Sequence, residues 1–261
     1  MQDELGAVPA QRFAQQQELE EHALIDTGRQ AQLAPHGRKS TSLTLADLPY
    51  TLCIEIMPRY LTEQDIADFR NDLCRVATER FARHGYEGVT MRQLAEALGC
   101  SPKTPYRYFK DKADILATVR AQAFARFADA LEKAAASRKD ASERGRAIAE
   151  AYLAFALKNP HAYRIMFDID APIDESHPEL GPAAERAARY ITAGAEQMAA
   201  AGVIGVDPQL FGWSMWAAIH GIVMLHQSGM LAHGPDYRTL SGFLGGTMLK
   251  GAAKQTKGKT R

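Results

Sequence analysis

The segment Ser101-Pro-Lys-Thr-Pro-Tyr-Arg-Tyr-Phe109 packs an uncommon density of hydrogen-bond donors into a short stretch. Lys103, Thr104, Tyr106, Arg107 and Tyr108 carry N–H or O–H groups that can reach a phosphate oxygen or a base edge. Those are the two chemistries by which nucleic acid is held and read. Ser101 is of N-cap type and Pro102 suits a first helical position, so the pattern predicts a short helix from Ser101 to about Phe109. The free backbone N–H groups at its start would meet an anion. Lys112 opens the next helix, where the dipole disfavours a cation unless an external anion resolves the conflict.

Charge supports that chemistry locally rather than globally. Residues 88–112 hold Arg92, Lys103, Arg107, Lys110 and Lys112 against Glu96 and Asp111 only. The chain of 261 residues is balanced overall, with 31 Lys+Arg and 31 Asp+Glu. Residues 1–56 are acidic, with Arg12, Arg29, Arg38 and Lys39 against eight acidic side chains, whereas five basic residues and no acid follow from Lys250 onward. Charge is segregated, and its local sign bears on the partner.

The elements that would position these residues are helical. Ile66, Phe69, Leu73, Val76, Ala77 and Phe81 recur at helical spacing over 62–84, with Thr62 and Asp65 as a capping box and Gly85 as the stop. Thr90 and Gln93 form a second capping box, and Leu94 and Leu98 follow before Gly99 ends a very short helix. Two short helices joined by Gly99-Cys100-Ser101 make a helix-turn-helix, marginal alone and needing the 62–84 helix as a third member. Farther on, helices are expected over 143–158 and 161–167, from about 183 to 201, over 208–231 and over 237–250. An acidic, Pro-rich loop spans 168–182. No alternating strand pattern appears, so the fold class is all-α.

At this point the residues become specific. Thr90-Met-Arg-Gln-Leu-Ala-Glu-Ala-Leu-Gly-Cys-Ser-Pro-Lys-Thr-Pro-Tyr-Arg-Tyr-Phe-Lys-Asp-Lys112, preceded by Phe81-Ala-Arg-His-Gly-Tyr-Glu-Gly-Val89, resembles the DNA-binding region of the TetR/AcrR family of repressors. The resemblance covers about 60 residues, from Asn71 to near Ala130. It departs from the family pattern at Cys100, where Val is usual, and at Pro105, where Leu is commoner. It implies that Thr90 meets a phosphate, that Arg92 reaches a base, and that Ser101, Pro102, Lys103 and Thr104 form the tip in the major groove. It further implies phosphate contacts from Tyr106, Tyr108 and Lys112, with Arg107 free for either job. Arg92 and Lys103 are the expected specificity residues, because Arg or Lys to guanine is the commonest base readout.

The same resemblance implies a division into an N-terminal extension (1–57), a helix-turn-helix domain (58–118), a helical effector-binding and dimerisation domain (119–251) and a basic tail (252–261). It implies a homodimer on a near-palindromic stretch of double-stranded DNA, with the last two helices in a four-helix interface. Trp216-Ala-Ala-Ile-His220-Gly221 resembles a Trp-x3-His-Gly element of one subgroup. A small, mostly apolar effector would bind among the middle helices, in a pocket drawn from Tyr152, Phe155, Tyr163, Phe167, Trp213, Trp216 and His220. His220 reads more readily as a hydrogen-bonded core histidine than as a ligand contact.

Other classes fit less well. Cys53, Cys74 and Cys100 are never spaced CxxC, which argues against zinc or a disulfide framework. There is no HExxH, no Gly-rich phosphate loop and no nucleophile elbow, so no metal, cofactor or catalytic residue is expected. A small helical enzyme using His220, Tyr163 or the Asp168, Asp170 and Asp174 loop is the rival reading. The longest apolar run, Phe211 to Leu225, falls short of the roughly 18 residues of a membrane span. The first 30 residues lack an apolar signal core, so a cytoplasmic, nucleoid-associated protein is expected. Residues 1–56 are expected to be dispensable, with Met57 as a natural start.

Overall fold

A computed structural model describes residues 62–168 and 177–254. The expectations for residues 1–61, for most of the acidic loop and for the basic tail lie outside them. Among the described residues the regular structure is helical: α1 (Glu63–His84), α2 (Met91–Ala97), a 3-10 turn (Thr104–Arg107), α3 (Lys112–Ala136), α4 (Ala141–Lys158), α5 (Pro160–Met166), α6 (Leu180–Ala200), α7 (Pro208–Gln227), a second 3-10 turn (Met230–His233) and α8 (Tyr237–Ala252). A lone bridge between Ile204 and Ala253 is the one extended pairing among them.

The chain divides into two compact units. The described part of the first comprises residues 62–76 and 89–111, and that of the second comprises 77–88 and 112–254. In the first, Thr62 and Asp65 cap α1 reciprocally: the Asp65 carboxylate accepts from the Thr62 N–H at 2.8 Å, and the Thr62 hydroxyl accepts from the Asp65 N–H at 3.1 Å. Phe69, Leu73 and Cys74 are buried on this stretch, as are Met91, Leu94 and Ala95 on α2. Ile66 departs from the expected apolar face: it is 37% exposed. Gly99 ends α2 with φ +67°, a conformation that costs any residue with a Cβ about 1 kcal/mol or more.

The second unit is built on α3. The buried aromatics Phe127, Tyr152, Phe155 and Tyr163 join Met166, Ile219 and Val223 in its main core. Phe127 meets Tyr152 edge-on, with centroids 5.0 Å apart and planes at 80°, a favoured aromatic geometry. Asn159 and Pro160 separate α4 from α5, because Pro160 cannot supply the N–H that would continue the ladder. Asp207 caps α7 by accepting from the Leu210 N–H at 2.7 Å, with Pro208 at the first helical position. That helix stops at Gln227 instead of running to 231. Gly229 takes φ +76°, and residues 230–233 fold into the 3-10 turn. Gly212 lets α7 approach α6: a Cβ there would lie 2.5 Å from the Ile191 carbonyl oxygen.

Apolar side chains occur on more than one side of α7. Phe211, Ile219, Ile222 and Val223 are buried, while Leu210, Trp213, Met224 and Leu225 are exposed on the same helix and Phe243 is exposed on α8.

Candidate nucleic-acid interface and cavity

The first unit carries the donor cluster. Thr90 caps α2 as the spacing predicts: its hydroxyl accepts from the Gln93 N–H at 3.2 Å, and the Gln93 side chain accepts from the Thr90 N–H at 2.8 Å. Arg92 projects from that helix, exposed, with its Nε donating to Glu96 at 2.8 Å one turn away. Beyond Gly99 the expected helix from Ser101 is replaced by a turn and a 3-10 segment. Lys103, not Ser101, is the capping residue, and it makes no side-chain cap bond. Thr104, Tyr106 and Tyr108 donate their N–H groups to the carbonyls three residues back, at 3.0, 3.2 and 3.1 Å. Pro105 is the cause. It has no N–H to give to Ser101 in an α-helical ladder, so the chain tightens to i→i+3 bonding.

This turn sorts the donor side chains. Pro102, Lys103, Tyr106 and Arg107 are exposed, and Ser101 and Tyr108 are half-buried. Thr104 corrects the expectation of a groove-entering tip. It is 1% exposed, and its hydroxyl lies 3.2 Å from that of Ser101, so it holds the turn rather than reaching outward. Tyr108 packs its ring on Phe69 at 4.8 Å and accepts the Arg70 guanidinium at its carbonyl. Arg70 also sits over the Phe109 ring, 4.2 Å from its centroid. Arg70 was not singled out from the sequence, because nothing in helical periodicity distinguishes it from a solvated arginine.

Lys112 lies in the second unit, and the conflict with its helix dipole is resolved internally. Its Nζ donates to the Tyr86 carbonyl at 2.8 Å and lies 3.9 Å from the centroid of that residue's ring. Glu87 is 3.9 Å away. No external anion is needed to explain its position.

The second unit also contains a cavity of about 140 Å3 among α3, α4, α6 and α7. Tyr152, Phe167 and Trp216, three of the residues put forward for an effector pocket, line it. Four other candidates are placed elsewhere. Phe155 packs on Phe127 in the core. Tyr163 is fully buried behind Tyr152. Trp213 is 51% exposed. His220 stacks on Trp216 at 5.4 Å and accepts from or donates to the Tyr163 hydroxyl at 2.6 Å through Nδ1. Tyr152 and Tyr163 hydroxyls are themselves 2.6 Å apart, which makes a continuous chain from cavity wall to histidine. Burial pushes the Tyr152 hydroxyl up to about 12 and Tyr163 higher still, and it lowers His220 from its usual value, so all three are neutral at physiological pH. Phe124, Ile191 and Phe211 also line the cavity, and the sequence alone did not single them out from ordinary core residues.

Residues 73–119 match the family model for bacterial regulatory proteins of the tetR family. Residues 145–242 match the tetracyclin repressor-like C-terminal domain. The chain belongs to the tetR family. Over 58 residues it is 36% identical to the HTH-type transcriptional regulator TcmR of Streptomyces glaucescens, covering 22% of this chain and 26% of that protein. Over 64 residues it is 34% identical to the HTH-type transcriptional repressor AcnR of Corynebacterium glutamicum, covering 24% and 34%. The matched segment thus spans about a quarter to a third of those relatives. Among solved structures, a protein of unknown function from Rhodococcus sp. RHA1 superposes with a TM-score of 0.62 at 26% identity, covering 76% of this chain and 99% of that one. A tetR-family regulatory protein from Rhodococcus RHA1 superposes at 0.60 with 19% identity, covering 72% and 98%, a likeness of fold.

Proposed function

We propose that this tetR-family protein is a DNA-binding transcriptional regulator of the repressor type, released from its site by a small, mostly apolar effector. The observation that carries the reading is the capped α2, the Gly99 turn and the 3-10 segment, which together leave Arg92, Lys103, Tyr106 and Arg107 exposed. Arg92 and Lys103 are assigned to base edges. Thr90, Tyr106, Tyr108 and Arg107 are assigned to the phosphate backbone and Pro102 to the tip in the major groove, with Ser101 positioning the turn and Lys112 anchoring the loop that bears Tyr86. Two copies would place their turns about 34 Å apart, one turn of DNA, on a near-palindromic site. The exposed apolar side chains of α7 and α8 are the surface that supports a homodimer. No helix among the described residues is long and apolar enough to cross a membrane, and a regulator of this kind works in the cytoplasm on the nucleoid.

Footprinting on the DNA upstream of the protein's own coding region tests the reading. One short symmetric protected site is expected. Uniform coating of the DNA, or none at 50 mM salt, overturns it.

A further inference from the structure

The cavity of the second unit restricts what it can accept. Its volume of about 140 Å3 is close to that of an engineered apolar cavity, about 150 Å3, that takes up benzene. Drug-sized pockets run larger, at roughly 300–1,000 Å3. None of the described residues lining it carries a formal charge, so an ionic ligand would lose its water without gaining a partner. The rings of Phe124, Phe127, Phe167, Phe211, Tyr152 and Trp216 bound it, presenting the edges and faces that suit another ring. Tyr190 lines it too, but also borders a second depression that it shares with Glu132 and Arg189.

Polarity enters at Tyr152. Its hydroxyl bonds Tyr163, Tyr163 bonds His220, and the Tyr152 hydroxyl itself lies 3.5 Å from the His220 Nδ1. A neutral imidazole has one donor and one acceptor nitrogen, and a phenol has one donor and two acceptor positions. When Nδ1 accepts, protons run from Tyr152 through Tyr163 to His220, and the Tyr152 oxygen keeps its acceptor positions. When Nδ1 carries the proton the run reverses, and the Tyr152 hydroxyl proton is left over. Its two recorded partners, Tyr163 and His220, cannot fill all three positions of the Tyr152 hydroxyl, so this cavity-lining residue retains at least one.

We infer that the effector is a compact, uncharged, single-ring aromatic with one hydroxyl or carbonyl oxygen, and that Tyr152 receives that oxygen. The inference rests on reading this cavity as the effector site. Calorimetric titration of the full chain with p-cresol, toluene and 4-methylbenzoate tests it without DNA. On the wild type, p-cresol binds within about thirtyfold of toluene, because its hydroxyl is received; a larger deficit marks an unreceived hydroxyl and overturns the role of Tyr152. 4-Methylbenzoate binds at least tenfold more weakly than p-cresol, and equal affinity overturns the exclusion of charge. In Tyr152→Phe, p-cresol weakens about tenfold while toluene stays within twofold, which also reports that the variant is folded. Unchanged p-cresol affinity in a variant that binds toluene normally overturns the assignment. A gel shift with p-cresol separates the two levels. Binding without DNA release upholds the ligand class and overturns the effector role, whereas no binding of p-cresol or toluene overturns the ligand class and leaves the DNA reading intact.

Discussion

Arg92 and Lys112 are both cations of the basic stretch 88–112, yet their surroundings predict different consequences of removal. Arg92 is exposed and paired only with Glu96 across one helical turn, an arrangement that contributes a few tenths of a kcal/mol. Arg92→Ala should leave thermal stability within about 0.5 kcal/mol and relax preference among operator bases. Lys112 is held by the Tyr86 carbonyl and ring. Its replacement by Ala should cost roughly 1–2 kcal/mol through the lost cation–π contact and hydrogen bond, and should weaken all DNA sequences alike. Melting curves beside binding to operator and scrambled DNA check both; equal loss of discrimination in the two variants contradicts the division of roles. His220 gives a pH prediction. Burial lowers its folded-state pKa below the unfolded value near 6.5, so the unfolded chain binds the extra proton first. The resulting stability is fully present above about pH 6.5 and is lost as pH falls from there toward the folded value. Urea midpoints between pH 8 and pH 5 should fall more steeply for the wild type than for His220→Gln, and parallel curves would remove His220 from the account.

At the scale of elements, one tight turn and one close approach set the geometry. The segment after Gly99 is a 3-10 turn because Pro105 withholds an N–H, and burial of Thr104 and Pro105 fixes which side chains remain outside. In the second unit, α6 and α7 touch at Gly212, where an added Cβ would meet backbone, the Ile191 oxygen at 2.5 Å and the Thr192 Cα at 3.0 Å. Backbone cannot rotate aside as a side-chain tip can, so Gly212→Ala must push the two helices apart. A loss of about 1–3 kcal/mol is expected, the range for overpacking. Gly212 and Ile191 both line the cavity, so the same variant should change toluene affinity. A stability shift below about 0.5 kcal/mol by denaturant unfolding would show that the helices separate without cost.

For the whole molecule, the apolar surface of α7 and α8 calls for a partner. Leu210, Trp213, Met224, Leu225 and Phe243 are exposed there, Phe243 at 69%, and large apolar side chains left in water are the raw material of an interface. Leu225 is the position to test, because Ile222 is buried within its own chain at 3% and would report on folding instead. Leu225→Arg should yield a folded monomer by light scattering at micromolar concentration, with binding to a two-half-site operator reduced at least tenfold. A wild-type chain that is itself monomeric at that concentration contradicts the homodimer.

Helix positions were largely legible in the sequence because their signals are local. The Thr62, Thr90 and Asp207 caps, the Gly85 and Gly99 stops and the Asn159-Pro160 break each act within a few residues of themselves. The end of α7 at Gln227, just before Gly229, is not read from the sequence although its cause is equally local, since a single glycine in a helical pattern is compatible with either continuing or stopping. The donor cluster was legible as chemistry, but not its division into exposed Tyr106, half-buried Tyr108 and buried Thr104. That division depends on how tightly the chain turns, and a proline at the third or fourth position of a short helix can bend it or convert it. The cavity was the least legible feature. Tyr152, Phe155, Tyr163, Phe167, Trp213 and Trp216 are alike in composition and spacing, yet only three of the six border the void. Which apolar side chain meets a void and which meets a neighbour is decided by the crossing of four helices distant in sequence, and no pattern along one helix encodes that distance.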